Sequence, residues 1–214
     1  MNKAARSGTR QRTRNAILEA MADVIMETTD GIGFSVQAVA DRAGVTHRTI
    51  YNHFPTREVL CEAFSDYVDE LLVASSGLPE PTMSLASLPV LVEDLYRTLA
   101  LRDRYVRASV MLMIGNRRPM KAWRNRTRTA EKLIAREMAV RTSLTPRQVA
   151  AAVRMFVSSM GWHLLTEQCG LSTEEAAAAS AWATRTLLDA ATVKRTPPSR
   201  DSQGGANATR RRRG

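Results

Sequence analysis

Cysteine is nearly absent: the 214 residues hold two, Cys61 and Cys169. Neither sits at metal-ligand spacing and nothing supplies a disulfide context, so both read as idle thiols. Histidine is also scarce. His47, His53 and His163 are scattered, with no cysteine or carboxylate pair at helical spacing from them. No H-E-x-x-H, nucleophile elbow or dinucleotide fingerprint occurs, which argues against hydrolytic or redox catalysis. Neither a metal nor a cofactor is expected. The apolar run at residues 110–114 is far shorter than the ~20 residues a membrane helix needs. No secretory h-region follows the basic N-terminus. A soluble, cytoplasmic chain with no membrane partner is the expectation. There is no β-alternation, internal repeat or Gly-rich phosphate loop. Apolar residues are 44% of the chain and recur at helical spacing, so the fold class is all-α.

Positive charge is plentiful, with a formal net charge of +10. It is unevenly placed. Residues 1–14 hold Lys3, Arg6, Arg10, Arg12 and Arg14 with no acid, and residues 194–214 hold seven cations and one acid. The chain between these ends is close to neutral. The first segment reads as a basic disordered arm running into the first helix. Arg12 and Arg14 are its candidates for phosphate contact, which would make DNA affinity salt-dependent. The second, with Pro197-Pro198, Gly204-Gly205 and Arg210 to Arg213, reads as a basic disordered tail. Solubilisation and non-specific DNA attraction are equally open for it.

Residues 35–57 hold two short helical patterns joined by a tight turn. Ser35 is a good N-cap, and Phe34 with Val39 suits a hydrophobic staple. Val36, Val39, Ala40 and Ala43 lie on one helical face. Gly44 supplies the left-handed stop that other residues adopt only at a cost. Thr46 caps a second helix in which Ile50 packs inward, and Phe54-Pro55 ends it. The small Ala40 permits close crossing. Such a pattern fits a helix-turn-helix, whose second helix enters the major groove. The first turn of that helix is His47-Arg48-Thr49. A helix N-terminus favours acids, so cations there become favourable if DNA supplies the negative charge. Thr56 caps the next helix with Arg57 at its first position, a natural phosphate site.

This segment resembles the TetR family of bacterial transcriptional regulators. Phe34-Ser35, Val39-Ala40, Ala43-Gly44-Val45, Thr49 through Phe54, Arg57-Glu58 and Leu60 carry the resemblance, which covers roughly residues 10–60. It implies that Gln37, Thr46, His47 and Arg48 reach base edges. It further implies that Ser35, Thr49, Tyr51, His53 and Arg57 contact phosphates. The family usually has Lys where this chain has Arg57, a change that keeps the charge. Arg48 suits either bidentate reading of guanine or a phosphate.

The expected domains are a DNA-binding unit at 15–60 and a helical effector-binding and dimerisation domain at 61–193. Helices are expected at about 9–28, 56–74 and 119–138, with two more between residues 88 and 114. The box Thr145-Pro146-Arg147-Gln148 opens a helix with Val149, Val153, Phe156, Val157, Met160 and Leu164 on one stripe. A second box, Ser172 to Glu175, opens residues 176–191. The resemblance implies a homodimer through these last two long helices, and an effector pocket among the middle helices. Met111, Met113, Trp123, Met155, Trp162 and His163 are its candidate lining. Arg117, Arg118, Lys121, Arg124, Arg126 and Arg128 form a cation run without an acid. It suits a solvated face, an anionic effector entrance or an auxiliary phosphate contact. The function so implied is a ligand-responsive repressor, a homodimer on palindromic double-stranded DNA that answers to a small-molecule effector. The alternative is a non-specific nucleoid-type binder using its basic ends.

Overall fold

The computed structural model describes residues 3–28, 34–76, 84–115, 121–137 and 144–191, and every regular element among them is helical. The elements are α1 (Lys3–Glu27), α2 (Val36–Arg42), α3 (His47–His53), α4 (Arg57–Ser76), α5 (Leu88–Leu101) and α6 (Asp103–Gly115). They continue as α7 (Lys121–Glu137), α8 (Pro146–Phe156), α9 (Ser159–His163) and α10 (Thr173–Ala191). A 3₁₀ turn, Leu85–Ser87, precedes α5, and a π-turn, Leu164–Gln168, follows α9. No described helix is long and apolar enough to cross a membrane.

Three apolar clusters organise these helices. The first joins Ile17 and Met21 of α1, Val39 of α2, Ile50 of α3, and Leu60, Phe64 and Val68 of α4 to Ala108 and Leu112 of α6. Cys61 is buried in it, and desolvation pushes its thiol up to about 11, as suits an inert packing residue. The second joins Leu88, Leu133, Ile134, Val149, Val153 and Leu188, from α5, α7, α8 and α10. The third gathers Val92, Tyr96, Leu99, Val106, Trp162 and Ala177. Ala176, Ala177, Ala181 and Thr184 of α10 are buried, and their small side chains let α10 lie close against α5.

Two expectations are corrected. The first helix begins at Lys3, not near residue 9, so the arm expected to be disordered is helical from Lys3 onward. No proline interrupts it, and Gln11 Nε2 donates to Asn15 Oδ1 at 3.0 Å one turn on. The stripe from Val149 to Leu164 is not one long helix. It breaks at Val157 (φ −103°, ψ 58°), and Ser158 starts α9 by accepting the Gly161 N–H at 3.2 Å. The apolar stripe does not run on through α9: Val149 and Val153 are buried, but in α9 Gly161, Trp162 and His163 are buried instead, and Leu164 is exposed. Tyr96 fills the break: its hydroxyl donates to the Phe156 carbonyl and lies 2.8 Å from Ser180 Oγ. The turn at 30–33, most of the loop at 75–81 and the tail at 194–214 fall outside the described residues.

The break also explains Gly161. A Cβ there would sit 2.0 Å from the Met155 carbonyl oxygen and 3.1 Å from the Tyr96 hydroxyl. Gly161→Ala should therefore lower stability by about 2–3 kcal/mol, at the upper end of overpacking costs. Urea melts read this directly, and a loss below half a kcal/mol would contradict the packing described.

Candidate nucleic-acid interface

Short capped segments place the reading surface. Ser35 Oγ accepts from Ala38 N at 3.4 Å, and α2 runs to Arg42. Gly44 then takes φ +64°, the left-handed region open to glycine, while Val45 N donates back to Ala40 O at 3.0 Å. Thr46 Oγ1 accepts from Thr49 N at 3.1 Å and starts α3. Val39, Ala40, Ile50 and Phe54 are buried, which locks the angle between the two helices. The opposite face of α3 is left in solvent.

That outward face carries the expected residues. Gln37, Thr46, His47, Arg48 and Tyr51 are exposed, as are Ser35 and Arg57, whereas Thr49 and His53 are half-buried. Arg48 makes no hydrogen bond or ion pair with the described residues. His47 and Tyr51 stack edge to face, with ring centroids 4.8 Å apart, so one turn of α3 presents a joined aromatic pair. Gln37 is less free than its exposure suggests, since its Nε2 donates to Asp41 Oδ1 at 2.7 Å. The first turn of α3 contains no acid. Its unpaired amides and the neighbouring cations make a local positive end suited to an anion.

Cations flank α3 on both sides. Thr56 Oγ1 accepts from Val59 N at 3.2 Å, and Arg57 opens α4 with its guanidinium 4.3 Å over the Phe34 ring. Arg14 of α1 lies 5.0 Å over the Phe54 ring. Burial, Arg10 and Arg14 together hold the His53 imidazole below its usual range. Arg10 was not among the expected phosphate contacts, yet it groups with Arg14 and His53. Arg12 turns along its own helix toward Thr9 Oγ1 at 3.4 Å. Their i, i+4 spacing within the helix expected from about residue 9 carried this signal.

Residues 28–64 match the family model described as "Bacterial regulatory proteins, tetR family". The match falls on the helix-turn-helix and the start of α4, so this segment is similar to the DNA-binding part of that family. Solved structures share the fold over nearly the whole chain. NalD from Pseudomonas aeruginosa, the secondary repressor of the MexAB-OprM multidrug efflux pump, is 20% identical, with a TM-score of 0.60 over 87% of this chain and 98% of that one. The TetR regulator TylP from Streptomyces fradiae is 20% identical, with a TM-score of 0.57 over 90% of each chain. No curated protein matches the sequence. The matched segment together with the exposed, capped α3 supports a DNA-binding transcriptional regulator.

The residues expected to line an effector pocket do not converge. Met111 and Met113 pack against the first cluster. Met155 is exposed, while Trp162 and His163 are buried beside α6, where Arg107 lies 5.4 Å over the Trp162 ring. Trp123 lies under the Arg154 guanidinium at 4.4 Å. A cavity of about 280 Å³ opens instead between α5, α7 and α8, and none of the six lines it. Aliphatic side chains wall it, with Arg126 and Arg154 the two charged residues. Sequence reasoning missed Arg154 because it flanks the apolar stripe beside Val153, where a cation reads as the polar edge of the helix. Of the basic run, Arg126 turns inward and pairs with Asp69 of α4, at 2.7 and 2.9 Å, while Arg117 and Arg118 lie outside the described residues.

His53 gives a pH-dependent stability with a definite sign. Its folded pKa lies below that of a free imidazole, by burial first and then by Arg10 and Arg14. Above that value the ring is neutral in both states. As pH falls below it, the unfolded chain binds the proton first, so stability declines until the folded ring also protonates. His163, lowered by burial and by Arg107, adds in the same direction. Denaturant melts between about pH 8 and pH 5 should show this decline, and His53→Gln should remove its share of it.

Proposed function

We propose that this regulator is a ligand-responsive repressor that binds palindromic double-stranded DNA as a homodimer. The observation that carries the reading is the acid-free N-terminus of α3. It is exposed, held by a buried face, and flanked by Arg57 on one side and by Arg10, Arg14 and His53 on the other. Base edges are the assigned partners of Thr46, His47 and Arg48 on α3 and of Gln37 on α2. Ser35, Thr49, Tyr51, His53, Arg57 and Arg14 are assigned to phosphates, and Arg10 joins them. NalD, of similar fold, is a repressor, which supports that direction of control.

A dimer follows from the same logic. One seven-residue α3 reads only a few base pairs, and two-fold pairing sets two such helices on half-sites about one DNA turn apart. The expected pair of long helices is now α10 with the broken α8 and α9. Trp182 on α10 is 68% exposed, a large apolar group for a second copy to cover. The effector response is assigned to the helical body, with α4 as the link between it and α3.

Selection of bound duplex from a random pool tests this. The wild-type chain should enrich a palindrome, and Arg48→Ala combined with Tyr51→Ala should lose it. Arg48→Ala alone should relax specificity at one position by about 1–3 kcal/mol if it reads guanine. Arg57→Ala should weaken all sequences alike and reduce the salt slope by roughly one. Binding without enrichment, unchanged in the double variant, would instead assign the activity to the basic ends as a non-specific binder.

A further inference from the structure

The cavity between α5, α7 and α8 has chemistry that its walls leave unresolved. Leu88, Leu133, Val153 and Val157 supply aliphatic surface. Arg154 is 9% exposed, and its Nε and Nη2 are fully buried with no hydrogen-bond partner. Trp123 covers one face of the guanidinium, with 4.4 Å between Cζ and the ring centroid. That contact offsets part of the charge, but it leaves the in-plane N–H donors unmet. Burial and the nearby Arg126 lower Arg154 to about 10, so it stays cationic at neutral pH. A buried cation with unpaired donors is costly unless something anionic meets it.

Arg126, the second cation on the wall, already has a partner. Its Nη2 donates to both carboxylate oxygens of Asp69 on α4. Burial raises the Asp69 carboxyl, Arg126 draws it back, and the neighbouring Asp66 raises it further. The same two helices meet again at Glu62, whose carboxylate oxygens both accept the Lys121 N–H at the start of α7 at 3.0 Å. At this seam between the cavity and α4, Arg126 is paired with Asp69, while the buried Nε and Nη2 of Arg154 have no hydrogen-bond partner among the described residues.

We propose that this cavity is the effector site and takes a small hydrophobic carboxylic acid, whose carboxylate occupies the unpaired Arg154 donors and draws Arg126 away from Asp69. The volume of about 280 Å³ lies at the lower end of small-molecule sites. The walls suit hydrocarbon rather than a sugar or a phosphate dianion. A carboxylate matches the planar guanidinium fork with two parallel bonds. Release of Asp69 loosens α7 from α4, and α4 begins at Arg57 beside the reading helix. The inference rests on the ligand-responsive reading above and deepens it.

Calorimetry on the full chain without DNA tests the site. Octanoate and phenylbutyrate are compared with their amides, octanamide and phenylbutanamide. At least one acid should bind about tenfold or more tightly than its own amide, as a charge-assisted pair implies. Arg154→Met should lose about tenfold or more of that affinity. It should melt no lower than the parent, because an unpaired buried charge has gone. Asp69→Asn should bind the acid about threefold or more tightly, since Arg126 loses its competitor; a purely structural aspartate would not give that gain. Acids binding no better than amides, or undiminished binding by Arg154→Met, would overturn the site. Unchanged affinity in Asp69→Asn would overturn the competition for Arg126. If Arg154→Met does not fold, the acid-to-amide ratio and Asp69→Asn decide. Duplex selection is read separately: a selected palindrome without acid preference overturns this site alone, and acid binding without any selected duplex overturns the regulator reading alone.

Discussion

The structure depends on the burial of one apolar stripe of α4. Leu60, Phe64 and Val68 enter a cluster that also holds Ile17 and Met21 of α1, Ile50 of α3, and Ala108 and Leu112 of α6. The helix-turn-helix therefore has no private core. A unit of two seven-residue helices buries too little surface to hold itself, and each fully buried aliphatic or aromatic side chain contributes about 1.5–3 kcal/mol. Sharing the core with the body supplies the missing burial. It also means that α3 and the body cannot move independently at low cost, because packed interiors are not continuously deformable.

Polar contacts reinforce the same seam. Arg42 of α2 pairs with Glu27 at 2.5 Å and with Asp23 at 3.6 Å, and Arg104 of α6 meets the other oxygen of Asp23 at 2.7 Å. Asp23 thus stands between the DNA-binding unit and the body. These pairs are largely exposed, and such pairs contribute little to stability. Their effect is on register: they hold α2 and α6 at fixed positions around α1. Arg126 with Asp69, and Glu62 with the first amide of α7, do the same for α4. The exception is Arg154, the buried cation that no described acid meets.

Much of this was legible in the sequence, for local reasons. Ser35, Gly44, Thr46 and Thr56 punctuate the helices through interactions within four residues, so the turn and its caps followed directly. The capping boxes at Thr145 and Ser172 did too, since both hydrogen bonds of each lie within one turn. What failed was non-local. The α8–α9 break is enforced by Tyr96, sixty residues upstream of Phe156 in the chain. Periodicity saw only a continuous apolar face. The residues expected to line a pocket are methionines, aromatics and a histidine, whereas the cavity between α5, α7 and α8 is walled mostly by aliphatic side chains with Thr129 and two arginines. Which arginine in a run turns inward depends on Asp69 of another helix, and spacing along α7 does not reveal it. The spacing of Arg10 and Arg14 was legible in the helix expected from about residue 9; their approach to His53 was not, because it depends on α1 lying beside Phe54 of another segment.

The central claim is that α4 couples the reading helix to the cavity. Coupling between two binding sites is reciprocal, so DNA must be felt at the cavity if a ligand there is to be felt by DNA. Hydrogen exchange with and without the selected duplex measures this most directly. The account predicts altered exchange in α3, along α4 through Asp69, and in α7 around Arg126. Changes confined to α1, α2, α3 and the first turn of α4, with α7 unaffected, would contradict it.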